Sequence, residues 1–154
     1  MDAAVETALV AVAQAMRTAV EPWWIIGSAA VVLFGGKTGV ADVDLLAGER
    51  DAAALVARLG LAASAPDGDS RFRSRVFARW RRADRDVEIM GKLRVADQSG
   101  WSDVRPATQV AIALGGEILF VPARDEMIAI LARFGRDKDR ERALILARCT
   151  GAPG

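Results

Sequence analysis

The sequence predicts an α+β fold with an α/β-like order of elements: a small mixed sheet whose helices pack mainly on one face. Three observations carry this. Residues 23–46 read as a strand, a Gly-Ser turn, a short helix and a second strand. Residues 71–94 read as two further strands joined by a turn. Stretches with helical apolar spacing flank this region on both sides. A chain of 154 residues is expected to form one domain, 1–154, and can bury a sizeable core.

Residues 2–20 carry Val5, Leu9, Val12, Met16 and Val20 at helical spacing, which predicts a packing helix ended by Glu21-Pro22. Trp23 to Ile26 is the first strand. Ser28 to Phe34 is helical, and Gly35-Gly36 stops it. Lys37-Thr38-Gly39 is a polar connection. Asp42 then opens an apolar strand, Val43-Asp44-Leu45-Leu46. Asp51 is the expected N-cap of a helix running to Leu59, with Gly60 as its stop. Residues 62–70 form a turn-rich loop that could rim a site. Arg71 to Trp80 and Arg85 to Leu93 are strands by their alternation. Residues 101–108 read as irregular. Val110 to Leu114 and Ile118 to Val121 flank Gly115-Gly116 and predict a hairpin that extends the sheet. Arg124 to Phe134 and residues 136–147 are the closing helices.

Composition narrows the chemistry. The chain has no histidine and a single cysteine, Cys149, so histidine triads, His-ligated metals, a disulfide framework and a Cys-based zinc site are excluded. Acid–base work falls to Asp, Glu, Lys or water. The N-terminus holds Asp2 and Glu6 and lacks a basic leader segment, and no apolar run is long enough to span a bilayer. A cytoplasmic protein is expected.

Alternate residues of a strand point the same way, so Asp42-x-Asp44 sets two carboxylates on one side. Two such groups repel unless a proton or a cation lies between them. Hard carboxylate oxygens suit Mg²⁺, which commonly arrives with substrate phosphates. The Gly27-Ser28 turn at the start of a helix presents backbone N–H groups suited to phosphate. On the later strand, Asp86 and Glu88 again share a face. Residues 71–94 also hold nine basic side chains against three acidic ones. They would suit a polyanion, a nucleoside triphosphate or an RNA acceptor, or else form a solvated face of inter-strand ion pairs. Trp23, Trp24, Trp80 and Trp101 lie close to apolar runs and are read as core or half-core residues.

This constellation resembles the nucleotidyltransferase superfamily related to DNA polymerase β, and within it the small abortive-infection-type transferases. The residues carrying the resemblance are Gly27-Ser28, Asp42-x-Asp44 after thirteen intervening residues, Val87-Glu88-Ile89-Met90, and GRDKDRERALIL from Gly135 to Leu146. The minimal transferases continue the Gly-Ser turn into an Arg, where this chain has Ala29-Ala30. The resemblance implies a Mg²⁺-dependent transfer of a nucleoside monophosphate from an NTP, such as ATP, to an acceptor hydroxyl. Two metal ions are implied, with Mn²⁺ as an alternative. Asp42, Asp44 and Glu88 are the implied catalytic and metal-holding residues, with Asp86 as the alternative third acid. Gly27, Ser28 and Lys138 are implied to meet the nucleotide, with Asp139 as companion to Lys138. The acceptor, RNA or protein through residues 71–94 or a small molecule, stays open. A homodimer or a cognate partner protein could complete the cleft. The alternative is a binding module that keeps the fold without catalysis, such as one component of a toxin–antitoxin pair.

Overall fold

The computed structural model describes residues 1–64 and 70–149. Its elements run α1 (Ala3–Ala15), β1 (Trp24–Ile26), α2 (Gly27–Leu33), β2 (Asp42–Ala47), α3 (Glu49–Arg58), β3 (Phe72–Trp80), β4 (Asp86–Asp97), β5 (Gly100–Asp103), β6 (Val110–Leu114), β7 (Glu117–Val121), α4 (Arg124–Phe134) and α5 (Asp137–Ala147). Most of the turn-rich loop 62–70 lies outside the described residues. Among the described residues, no helix is long and apolar enough to cross a membrane.

The main sheet has the order β1-β2-β4-β3, with β5 added to β4. β2 and β4 are parallel, while β1 lies antiparallel to β2 and β3 antiparallel to β4. This mixed sheet with its helices is the predicted α+β class. The pleat sorts side chains as the alternation requires. Val43, Leu45, Val87 and Ile89 are fully buried, whereas Asp42, Asp44, Asp86 and Glu88 point to the opposite face. α3 packs against β4 at Gly91, where an added Cβ would stand 2.7 Å from the Ala52 methyl. The missing side chain is what lets helix and strand approach.

β4 does not keep one facing along its length. Met90 and Leu93 line the same cavity although they are three residues apart. A regular strand would send them to opposite sides. Lys92, with φ 55°, is the one non-glycine residue with positive φ among those described, and it switches the facing between them. On β3, Phe77 and Ser74, the direct partners of Met90 and Leu93, line the same cavity.

Four expectations are corrected. The hairpin β6–β7 forms, but as a separate two-stranded sheet and not as an extension of the main one. Side chains tie it on: Phe120 meets Trp23 edge to face at 5.3 Å, and the Trp24 indole N–H donates to the Thr108 carbonyl near the hairpin's start. Residues 100–103 are a strand, because Asp97 accepts from the Ser99 N–H and hydroxyl and so closes a tight turn back onto β4. α1 ends at Ala15, and Val20 is exposed, outside the apolar stripe.

The fourth correction concerns Asp51. α3 begins at Glu49 with Gly48 as its N-cap, so Asp51 lies inside the first turn. Its buried carboxylate accepts from the backbone N–H groups of Val20 and Glu21 at 2.8–3.2 Å. It thus satisfies the chain just before β1 and not the start of its own helix. Asp51→Ala should lower stability by about 2 kcal/mol, the scale of hydrogen bonds to a charged group, measured by urea unfolding. An unchanged midpoint would contradict this role.

Candidate active site

Parallel pairing of β2 with β4 sets Asp42 opposite Asp86 and Asp44 opposite Glu88. Antiparallel pairing of β3 with β4 sets Arg79 opposite Glu88. Directly paired residues share a face. The row Arg79, Glu88, Asp44 thus runs across three strands and reaches Ile26 on β1, the residue before Gly27. Asp42 stands one pleat away on the same side.

The carboxylates are close enough to interact strongly. Burial pushes the Asp44 carboxyl up from 3.8 to about 7, and the negative charges of Glu88 and Asp42 add to the rise. Arg142 and Arg136 oppose it. Burial also raises the Glu88 carboxyl, as do the charge of Asp42 and a hydrogen bond with it, while Arg79 and Lys138 work the other way. Asp42, Asp44 and Glu88 are therefore brought together. Asp86 is engaged elsewhere. It accepts from the Arg82 backbone N–H at 3.0 Å and lies 3.8 Å from Arg81, closing the β3–β4 turn.

Gly27 opens α2 with φ 70°. A Cβ there would stand 2.6 Å from the Asp44 carboxylate oxygen, so only glycine lets the turn lie against the acid. Ser28 is buried beside it. No side chain caps the first turn of α2.

α5 closes the site from the other side. Lys138 and Arg142 are four residues apart and so share a helix face. Lys138 acts on Glu88 and Arg142 on Asp44. Asp139 is fully buried and binds the Arg136 guanidinium through two contacts at 2.6 and 3.0 Å. That pair also lays Arg136 over the Phe72 ring, 4.7 Å from its centre. Arg136 lines a cavity of about 120 Å³, together with Asp44, Glu88 and apolar walls from Phe72, Phe77 and Phe134.

The sequence reading missed Arg79, Arg136 and Arg142. Arg136 and Arg142 lie within the charged run around Lys138, and helical spacing from Lys138 could have picked out Arg142. Several basic residues of the stretch 71–94 have acidic or aromatic partners. Arg82 pairs with Asp84, Arg85 with Asp2 and Arg94 with Asp103, while Arg73 lies over Trp101. Most of its arginines thus have an ion-pair or ring partner.

The donor set fits a divalent cation in its chemistry. It offers hard oxygens only, and Asp44 and Glu88 hold protons more tightly than usual, so positive charge is wanted there. Among the described residues, however, no three potential ligands are already drawn into a cage.

No protein-family model matches the chain, and no curated protein matches it in sequence. Solved structures do match in fold. A Thermotoga maritima protein provisionally assigned as a nucleotidyltransferase superposes with a TM-score of 0.71 at 19% identity, over 88% of this chain and 87% of that one. The lincosamide antibiotic adenylyltransferase LnuA, solved with lincomycin, gives 0.62 at 11% identity over 97% and 99%. The antibiotic-resistance factor ANT(2'')-Ia gives 0.61 at 15% identity over 98% and 86%.

Two outcomes follow from this geometry. Raising an acid's folded value above its unfolded one makes ionisation costly, so Asp44 weakens the fold as pH climbs from about 4 through about 7. Asp44→Asn should therefore stabilise the metal-free protein at about pH 8 by roughly 2 kcal/mol, half the linkage limit, and by little at about pH 4. Equal melting shifts at both pH values would contradict the crowding of the acids. Gly27→Ala should cost about 1–2 kcal/mol from its left-handed backbone alone, seen as a lower melting temperature. From strand order, register and these superpositions, the chain has the fold of the nucleotidyltransferase superfamily.

Proposed function

We propose that the protein is a Mg²⁺-dependent nucleotidyltransferase that moves a nucleoside monophosphate from an NTP to an acceptor hydroxyl. The observation that carries this reading is the convergence of Asp42, Asp44 and Glu88 beside the Gly27 turn, on a fold shared with adenylyltransferases. Asp42, Asp44 and Glu88 are the residues that would hold the metal. When bound, Mg²⁺ (or Mn²⁺) supplies charge neutralisation of the triphosphate and of the departing pyrophosphate.

The chain's own groups account for the remaining chemistry. Backbone N–H groups at Gly27 and Ser28 face the phosphates, and a side chain at Gly27 would both strain the turn and push Asp44 away. The acceptor hydroxyl oxygen attacks the α-phosphorus while the bond to the bridging oxygen of pyrophosphate breaks. Glu88, whose carboxylate binds protons more tightly than an exposed one, takes the hydroxyl proton or orients its departure. Lys138, Arg136 and Arg142 on the α5 side set positive charge against that of the leaving group.

LnuA was solved with lincomycin, and ANT(2'')-Ia with adenylyl-2''-tobramycin. A hydroxyl-bearing small molecule is therefore the acceptor class favoured here over RNA. The local pairing of the arginines in 71–94 supports the same choice.

Asp44→Ala should abolish transfer of label from an α-labelled NTP, while the circular dichroism spectrum stays that of the parent. Label turnover equal to wild type would remove the scheme. A binding module without catalysis is the second reading, favoured by Ala29-Ala30 after the Gly27-Ser28 turn, where the minimal transferases have Arg, and by Glu in place of Asp at position 88. Calorimetric titration with each NTP plus Mg²⁺ separates the two, since no heat with any nucleotide supports the module.

A further inference from the structure

We propose that Arg79 is a built-in counter-cation that bridges Asp42 and Glu88 and must be displaced before a divalent metal can take its place; this rests on the enzymatic reading above. One guanidinium nitrogen lies 3.1 Å from a Glu88 carboxylate oxygen, and the other lies 3.8 Å from an Asp42 oxygen. The planar fork of an arginine is the side chain best shaped to reach two acids at once.

Its position is dictated by the sheet. Arg79 is the direct partner of Glu88 across the β3–β4 ladder, so it reaches the acids from β3, whereas Lys138 and Arg142 belong to α5. The neighbouring arginines answer other acids: Arg81 meets Asp86, Arg82 meets Asp84, and Arg85 meets Asp2. Among the described ion pairs, Arg79 is the one that touches two of the three converging acids.

Burial suits an exchangeable contact. The side chains of Arg79, Glu88 and Asp42 keep 21%, 23% and 33% of their surface exposed. Such a pair is neither locked by a dry interior nor lost to full solvation. The guanidinium occupies one side of the two carboxylates that a metal would have to share. Metal binding therefore carries the cost of moving Arg79, and apparent affinity falls by the fraction of time the acids are free. Arg79 acts through Asp42 and Glu88 and is a positioning residue.

Mn²⁺ titration by calorimetry, without nucleotide, tests this on the full chain. Arg79→Met should tighten the Kd by about tenfold. Arg79→Lys keeps the charge but cannot span both acids, and should tighten it by about threefold. The Lys variant also carries the test if the Met variant fails to fold. If both match wild type while Asp44→Ala abolishes the heat, the inference is overturned and the enzymatic reading stands. Tightening in the Met variant alone marks a bulk charge effect and overturns it equally. Heat that survives Asp44→Ala, or no heat from any of the proteins, overturns both.

Discussion

The structure depends on the repulsion among three carboxylates forced together by one parallel strand pairing. The β2–β4 register sets Asp44 beside Glu88 with Asp42 one pleat away. Hydrophobic burial of the opposite face, through Val43, Leu45, Val87 and Ile89, holds that register. A slip of one residue would send the apolar set to the acidic side, so the core has no freedom to relieve the crowding. What cannot be relieved by moving must be offset by charge. The surrounding cations, Arg79 from the sheet and Arg136, Lys138 and Arg142 from α5, answer that need.

Each of these cations is placed by a different piece of the fold. Arg79 is set by ladder pairing. Arg136 is fixed by its clamp on buried Asp139 and by the Phe72 ring beneath it. Lys138 and Arg142 share one face of a helix. Such a site is electrostatically tuned from several directions, and a single substitution among the cations shifts the balance without collapsing it. Gly27 plays the opposite part. It has no charge to contribute, but its left-handed turn and missing side chain alone let the backbone lie against Asp44.

Much of this was legible in the residues, and the reason is periodicity. Asp42-x-Asp44 and Asp86-x-Glu88 are local alternations, and the Gly-Ser turn is a local punctuation, so each could be placed on its element. The pairing that joins them is not local, and nothing in the 71–94 stretch announces that Arg79 in particular faces Glu88. The same limit explains the hairpin. Gly115-Gly116 specifies a tight turn, but which sheet edge the hairpin meets depends on Trp23 and Phe120, nearly a hundred residues apart. The left-handed Lys92 carries no glycine or asparagine signal, so the switch in facing along β4 was invisible. Asp51 looked like a cap because caps are usually local, whereas its partners lie thirty residues back.

The most direct measurement is a crystal soaked with Mn²⁺ and a non-hydrolysable nucleoside triphosphate, read by anomalous scattering. Manganese peaks are expected bounded by Asp42, Asp44 and Glu88, with the triphosphate lying along the Gly27-Ser28 turn. Manganese bound elsewhere, or a nucleotide seated away from that turn, would contradict this.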